Sequence, residues 1–354
     1  MILKRTGAGV KKCWMLSWTL LLVLAGGAAL AENKDSASAS PQTMVSPAAN
    51  GQTLTPEEQK KLDELREERE VGRNMSGRLL AHFGTYKDDQ LLGYINQVGT
   101  YVGGFNEDPD RRYMFEIIDT DMINAFAAPG GYILITLGAL RHARNEAEIA
   151  AVLAHETVHV SKRHVYNTLR SMSKEDLEKA AGEKMGGKNV GPELAMRKRP
   201  DPEESKAGAL LARYLSGATA GLNVLAAAKA GMNVLMEKGL GADLEYEADA
   251  LGVRNAVMAG YHPSALNDYL CRIDQVRRGK TGKCVIEKEQ LKKGQGEKSI
   301  LEKTHPPIAS RIDSIQKSLE QMKAEEIVGA LGVKRYKQFI AKIPKAKKSA
   351  EKKH

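Results

Sequence analysis

The stretch LAHETVHVSKRH, residues 153–164, constrains the fold more than any other part of the chain. His155 and His159 stand four apart in a run where Ile149, Val152, Leu153, Thr157 and Val160 follow a helical stripe, and Asn145 offers an N-cap. Two imidazoles one turn apart on a helix face reach a single tetrahedral cation at distances of ~2.0–2.1 Å. Glu156 then stands where an H-E-x-x-H site keeps its general base. Such a site takes three protein ligands, so a second helix has to deliver one. Glu245, Glu247 and Asp249 of LEYEADALG are the candidates. His164 lies on another azimuth of a continuous helix and is expected to be a surface or capping residue.

The chain has 354 residues, enough for one large domain or two small ones. Hydrophobic residues at 42% and charged residues at 27% are the balance of a globular protein. The net charge of +9 gathers toward KIPKAKKSAEKKH, whose six lysines form a basic tail suited to solvent, to anionic lipid or to acidic partners. With five Phe, two Trp and no basic–aromatic interleaving, a nucleic-acid platform is not expected.

Residues 1–31 run from Lys4, Arg5, Lys11 and Lys12 through an apolar stretch to small residues ending at Ala31, the order of a signal peptide. The alternative is an uncleaved anchor, because the apolar run approaches spanning length. Export places the protein in an envelope compartment, periplasmic in a Gram-negative cell. There Cys271 and Cys284 are close enough in sequence to bridge; two unlinked thiols are the alternative. Residues 32–54 read as a flexible linker and 55–325 as the folded domain. Residues 171–205 read as a mobile insertion, and 326–354 as a C-terminal helix and basic tail. The spans YMFEIIDTD and GYILITLGAL carry strand character around the turn residues APGG, so the expected class is α+β, mainly helical with a small sheet beside the metal helix.

The blocks NAFAAPGGYILITLGAL, NEAEIAAVLAHETVHVSKRH, EYEAD and THPPIASRI follow one another in an order that resembles the HtpX-like zinc metallopeptidase family, which includes the BepA and CaaX prenyl protease branches. The resemblance covers roughly residues 56 to 320 and implies a zincin-type fold with one zinc per chain. It implies Glu245 as the third ligand and Asp249 as the acid that orients a ligand histidine. His305 resembles a family histidine near the catalytic centre, steadying an oxyanion or blocking the metal in a resting form, with Arg311 orienting its loop. The hydrophobic spans of the HtpX and CaaX branches are missing here, which favours the exported members. The strand near Gly131–Thr136 offers an edge for an extended substrate, with Gly130, Gly131 and Tyr132 at its start; the alternative is a tight turn into a core strand.

The expected chemistry is hydrolysis of internal peptide bonds, with Glu156 as base and zinc as Lewis acid. The expected substrates are unfolded or misassembled envelope proteins, and peripheral membrane association is expected of the tail. A zinc-containing holdase or assembly factor is the rival reading, and a helix without metal the third.

Overall fold

The computed structural model describes residues 54–108, 111–173, 175–177, 179, 224–277, 279 and 304–346. Residues 1–53, where a signal peptide and linker are expected, most of the expected insertion at 171–205 and Cys284 lie outside the described residues.

Thr55 opens the first helix, α1 (Pro56–Phe83), with a capping box: its hydroxyl accepts from the Glu58 amide while the Glu58 carboxylate accepts from the Thr55 amide. Val71, Met75 and Leu79 repeat at four-residue spacing and are buried together with Phe83. α2 (Asp89–Gly103) starts where Asp88 accepts from the Gln90 and Leu91 amides, and it buries Leu91, Tyr94, Ile95, Val98 and Val102.

Between these helices lies a three-stranded mixed sheet: β1 (Met114–Ile118), β2 (Ala125–Ala128) and β3 (Tyr132–Thr136), in the order β1-β3-β2. β3 runs parallel to β1, with Phe115 opposite Ile133, and antiparallel to β2, with Phe126 opposite Leu134. Both faces are covered. Phe115, Ile117, Ile133 and Ile135 join a core with α2, while Phe126 and Leu134 join a second core with α1. Burial on both sides explains why YILIT reads as a continuous apolar run instead of an alternating one.

Thr136 ends β3 and caps α3 (Leu137–His142) through the Ala139 amide. Asn145 caps α4 (Glu146–Ser161) through the Glu148 amide. Every residue of α4 from Glu146 to Val160 is buried, so this helix is the axis of the larger core. There follow α5 (His164–Ser171), α6 (Val224–Asn233) with a π turn at Val234–Lys238, α7 (Ala242–Met258), α8 (Ala265–Arg277), α9 (Ile308–Gln321) and α10 (Val333–Ile340). Chain beyond residue 325, expected as an appended helix and tail, continues the core as far as α10. Tyr336 is buried with its hydroxyl on the Leu140 carbonyl, and Phe339 stacks on Tyr94 at 4.2 Å. Among the described residues no helix is long and apolar enough to cross a membrane.

Candidate metal centre and cleft

The site is made where α7 crosses α4. A Cβ on Gly252 would stand 2.8 Å from the Cα and the amide nitrogen of His155, so only glycine permits this approach. Glu245, Asp249 and Gly252 are spaced four and three apart, which puts them on one face of α7. That face meets the histidine face of α4.

His155 Nε2 and His159 Nε2 are 3.1 Å apart, and each is 3.6 Å from a Glu245 carboxylate oxygen. Ligands ~2.0–2.1 Å from a tetrahedral zinc stand roughly 3.3 Å from one another, so this spacing suits that ion. All three side chains are buried, and Glu245 Oε2 makes no hydrogen bond. Burial pushes the Glu245 carboxyl up to about 7, against the pull of His155 and Arg311. A buried carboxylate with one oxygen outside any hydrogen bond, facing imidazoles, is the environment that a cation relieves. The residues present fit zinc.

A second layer of side chains holds the first. Asp249 Oδ1 lies 2.9 Å from His155 Nδ1, leaving the Nε2 lone pair of His155 aimed at the cluster. Arg311 grips Asp249 with two bonds, Nε to Oδ2 at 2.9 Å and Nη2 to Oδ1 at 2.7 Å. Burial opposes charge on Asp249, yet Arg311 and His155 hold its carboxyl below the usual range. Arg311 was expected to orient the His305 loop; its guanidinium instead anchors Asp249. His164 is also a correction. It is buried, and its Nδ1 sits 2.9 Å from His159 Nδ1. α4 ends at Ser161, and Arg163, in the left-handed conformation at φ 57°, turns the chain so that α5 begins with His164 facing back.

Glu156 is buried beside the cluster, and burial raises its carboxyl above the ordinary value against the pull of His155 and Arg311. His305 Nε2 is 3.4 Å from Glu245 Oε2, and its Nδ1 is 2.9 Å from the Thr304 hydroxyl. His155, Glu156 and His305 could together hold a cation as well, so His305 stands within reach of the centre.

The expectation of a free edge on β3 is overturned, because β3 is the central strand and is paired on both sides. Of the two readings, the tight turn into a core strand is the one observed. Gly130 (φ 76°) and Gly131 (φ 107°) make that turn, the Gly130 amide donates to Glu68 at 3.0 Å, and Tyr132 pairs with Met114 and Ala128. The edge strands are β1 and β2, and β2 is the one beside the cluster. Ala125, Phe126 and Ala127 line a cavity together with Glu156, His159, Glu245 and His305. The edge next to the metal cluster therefore belongs to the strand before the turn. Cys271 is buried in the larger core and disulfide-bonded, while its expected partner Cys284 lies outside the described residues.

The sequence pattern of peptidase family M48 matches residues 93–319, which contain the sheet, α4, α7 and His305. The chain belongs to peptidase family M48. The chain is 29% identical over 191 residues to a beta-barrel assembly-enhancing protease of Yersinia pestis, covering 54% of this chain and 34% of that one. It is 28% identical over the same length to the protein of that name from Escherichia coli K12. A shorter stretch of 49 residues is 39% identical to a mitochondrial metalloendopeptidase of Arabidopsis thaliana, covering 14% of this chain and 10% of that one. The chain spans about a third of the length of the bacterial relatives.

Proposed function

We propose that this M48 peptidase is a zinc-dependent endopeptidase with His155, His159 and Glu245 as the ligands and Glu156 as general base. The observation that carries the reading is the buried cluster of two Nε2 atoms and a carboxylate with one unpartnered oxygen, 3.1 to 3.6 Å apart, with a buried acid next to it. Zinc held there supplies a Lewis acid that acidifies water and polarises a peptide carbonyl. Burial gives Glu156 a proton affinity closer to neutral pH, which suits a group that takes a proton from water and passes it to the leaving amine. An extended peptide pairs its backbone with the edge of β2, which carries the scissile carbonyl past Glu156. His305, on the cleft wall, either donates to the developing oxyanion or reaches the ligand cluster in a resting form.

Strand pairing reads backbone more than side chains, so the proposed substrates are unfolded or misassembled proteins of the envelope. The names of the bacterial relatives accord with that substrate class. Export through residues 1–31, a Cys271–Cys284 bridge and peripheral association of the basic tail with anionic lipid belong to the same proposal.

The test is cleavage of unfolded casein by the purified chain with zinc quantified, beside Glu156→Gln. Cleavage by the wild type alone at one zinc per chain supports the peptidase. Zinc without cleavage in both the wild type and His305→Ala supports a zinc-containing holdase instead. A chain that takes up no zinc when it is supplied overturns both readings.

A further inference from the structure

The cluster orients its two histidines by different means. His155 faces a carboxylate, as ligand histidines commonly do. His159 faces a third imidazole: its Nδ1 is 2.9 Å from His164 Nδ1. The far nitrogen of that imidazole, His164 Nε2, is 3.3 Å from Glu247 Oε2, and Glu247 in turn is 3.8 Å from Lys162 Nζ. Glu247 lies between Glu245 and Asp249 on α7, so one helix supplies the ligand and the acids behind both histidines.

The proton positions along this row follow by elimination. Glu247 Oε2 stands at ion-pair distance from His164 Nε2 without the alignment of a hydrogen bond; a carboxylate only accepts, so its charge favours the hydrogen of His164 on that nitrogen. A neutral imidazole has one N–H, so His164 Nδ1 is then an acceptor. The nitrogen opposite it, His159 Nδ1, has to be the donor. That leaves the lone pair of His159 on Nε2, which points into the cluster 3.1 Å from His155 Nε2. Were the row reversed, with the hydrogen of His164 on Nδ1, two N–H groups would meet or His159 would present an N–H to the metal.

We propose that His164, held by Glu247, is the positioning residue that fixes the tautomer and ring plane of His159 for metal binding. This rests on the reading of His155, His159 and Glu245 as zinc ligands. His164 touches neither metal nor substrate in this role. The device also depends on the left-handed residue Arg163, which aims His164 back at the metal helix. A cation–π contact, with the Arg163 guanidinium 4.5 Å from the Tyr166 ring, and an ion pair between Arg163 Nε and Glu68 Oε2 at 2.9 Å hold that turn.

The experiment measures zinc affinity of the full chain by competition with a chelator, in His164→Leu, His164→Asn and Glu247→Ala. Leucine removes the acceptor, whereas the asparagine carbonyl oxygen takes the place of Nδ1. The expected result is a loss of roughly 10–100-fold in His164→Leu, the range for losing a partner behind a ligand histidine. His164→Asn stays close to wild type, and exposed Glu247→Ala falls between. Equal affinities in wild type and His164→Leu, or an equal loss in His164→Leu and His164→Asn, overturn the proposal.

The nitrogen-15 spectrum of the imidazoles in metal-free protein gives an independent readout. His159 should carry its proton on Nδ1 in wild type and His164→Asn and lose that preference in His164→Leu. A His159 protonated on Nε2 in wild type overturns the proposal even where zinc binds. A wild type that binds no zinc but shows the Nδ1 proton refutes the ligand assignment and leaves the orienting contact standing.

Discussion

The two ends of α4 close acidic groups off from solvent and treat them in opposite ways. At the first turn, Glu146 accepts from the Tyr94 and Tyr261 hydroxyls, each at 2.9 Å, and from the Arg335 guanidinium. Burial alone would raise its carboxyl, but Arg335 and the two tyrosines outweigh burial and lower it. Two turns and more along, Glu156 and the Glu245 that α7 brings against this end are raised by burial, and Glu245 Oε2 makes no hydrogen bond. All three acids are closed to solvent, but Glu146 lies nearer the surface and has its donors. A buried carboxylate that has its donors is a fastening, and one left without them awaits a cation or a proton.

Replacing the acid at each end should separate these roles. Glu245→Gln is expected to weaken zinc binding by more than roughly 100-fold, since losing a partner behind the ligands already costs roughly 10–100-fold. The same change should raise the melting temperature of metal-free protein, because it removes an unsatisfied buried charge. A lower melting temperature in Glu245→Gln without metal would break the contrast. Gly252→Ala comes next. Its Cβ cannot fit 2.8 Å from the His155 backbone, so α7 must back away, at roughly 1–3 kcal/mol in urea denaturation and with weaker zinc binding.

Arg335→Ala acts only at the fastened end. It should cost about 1 kcal/mol, the Arg335 side chain being 61% exposed and partly screened, and leave zinc affinity unchanged. The smallest effect is in the pH dependence of stability, where the ends have opposite signs. Glu146, lowered on folding, contributes above its ordinary 4.5 and loses that contribution as pH falls through the lower folded value. Glu245 in metal-free protein, raised to about 7, contributes fully below 4.5 and loses that contribution as pH rises toward 7. Urea midpoints across pH should therefore lose their acid limb in Glu146→Gln and their neutral limb in Glu245→Gln. Zinc should remove the neutral limb from the wild type.

What the sequence made legible is what is local. The helix under His155 and His159 follows from spacing and a capping Asn145, and the capping box at Thr55 from four consecutive residues. Glu245 was one of three acids until the order of motifs singled it out, because nothing within LEYEADALG says which face meets α4. Gly252, seven residues after Glu245, was the local clue to the contact face and went unused. His164 was misplaced for a specific reason: its azimuth was computed on an unbroken helix, and the break is a single left-handed arginine at Arg163, a residue type that carries no turn signature. The edge strand was misassigned because β1 pairs with β3 across β2 in sequence, and strand order in space is not written in strand order along the chain.

α10 has a consequence for the order in which the molecule becomes itself. The Ala147 amide, an open donor in the first turn of the metal helix, is satisfied by the Leu331 carbonyl at 3.2 Å, and Glu146 by Arg335, 189 residues further along. A chain made from its N-terminus therefore produces His155, Glu156 and His159 long before it produces the segment that completes their helix. Closing so long a loop is among the last and slowest contacts to form. The first turn of the helix that carries the histidines is therefore completed late, after most of the polypeptide packed around it has been made.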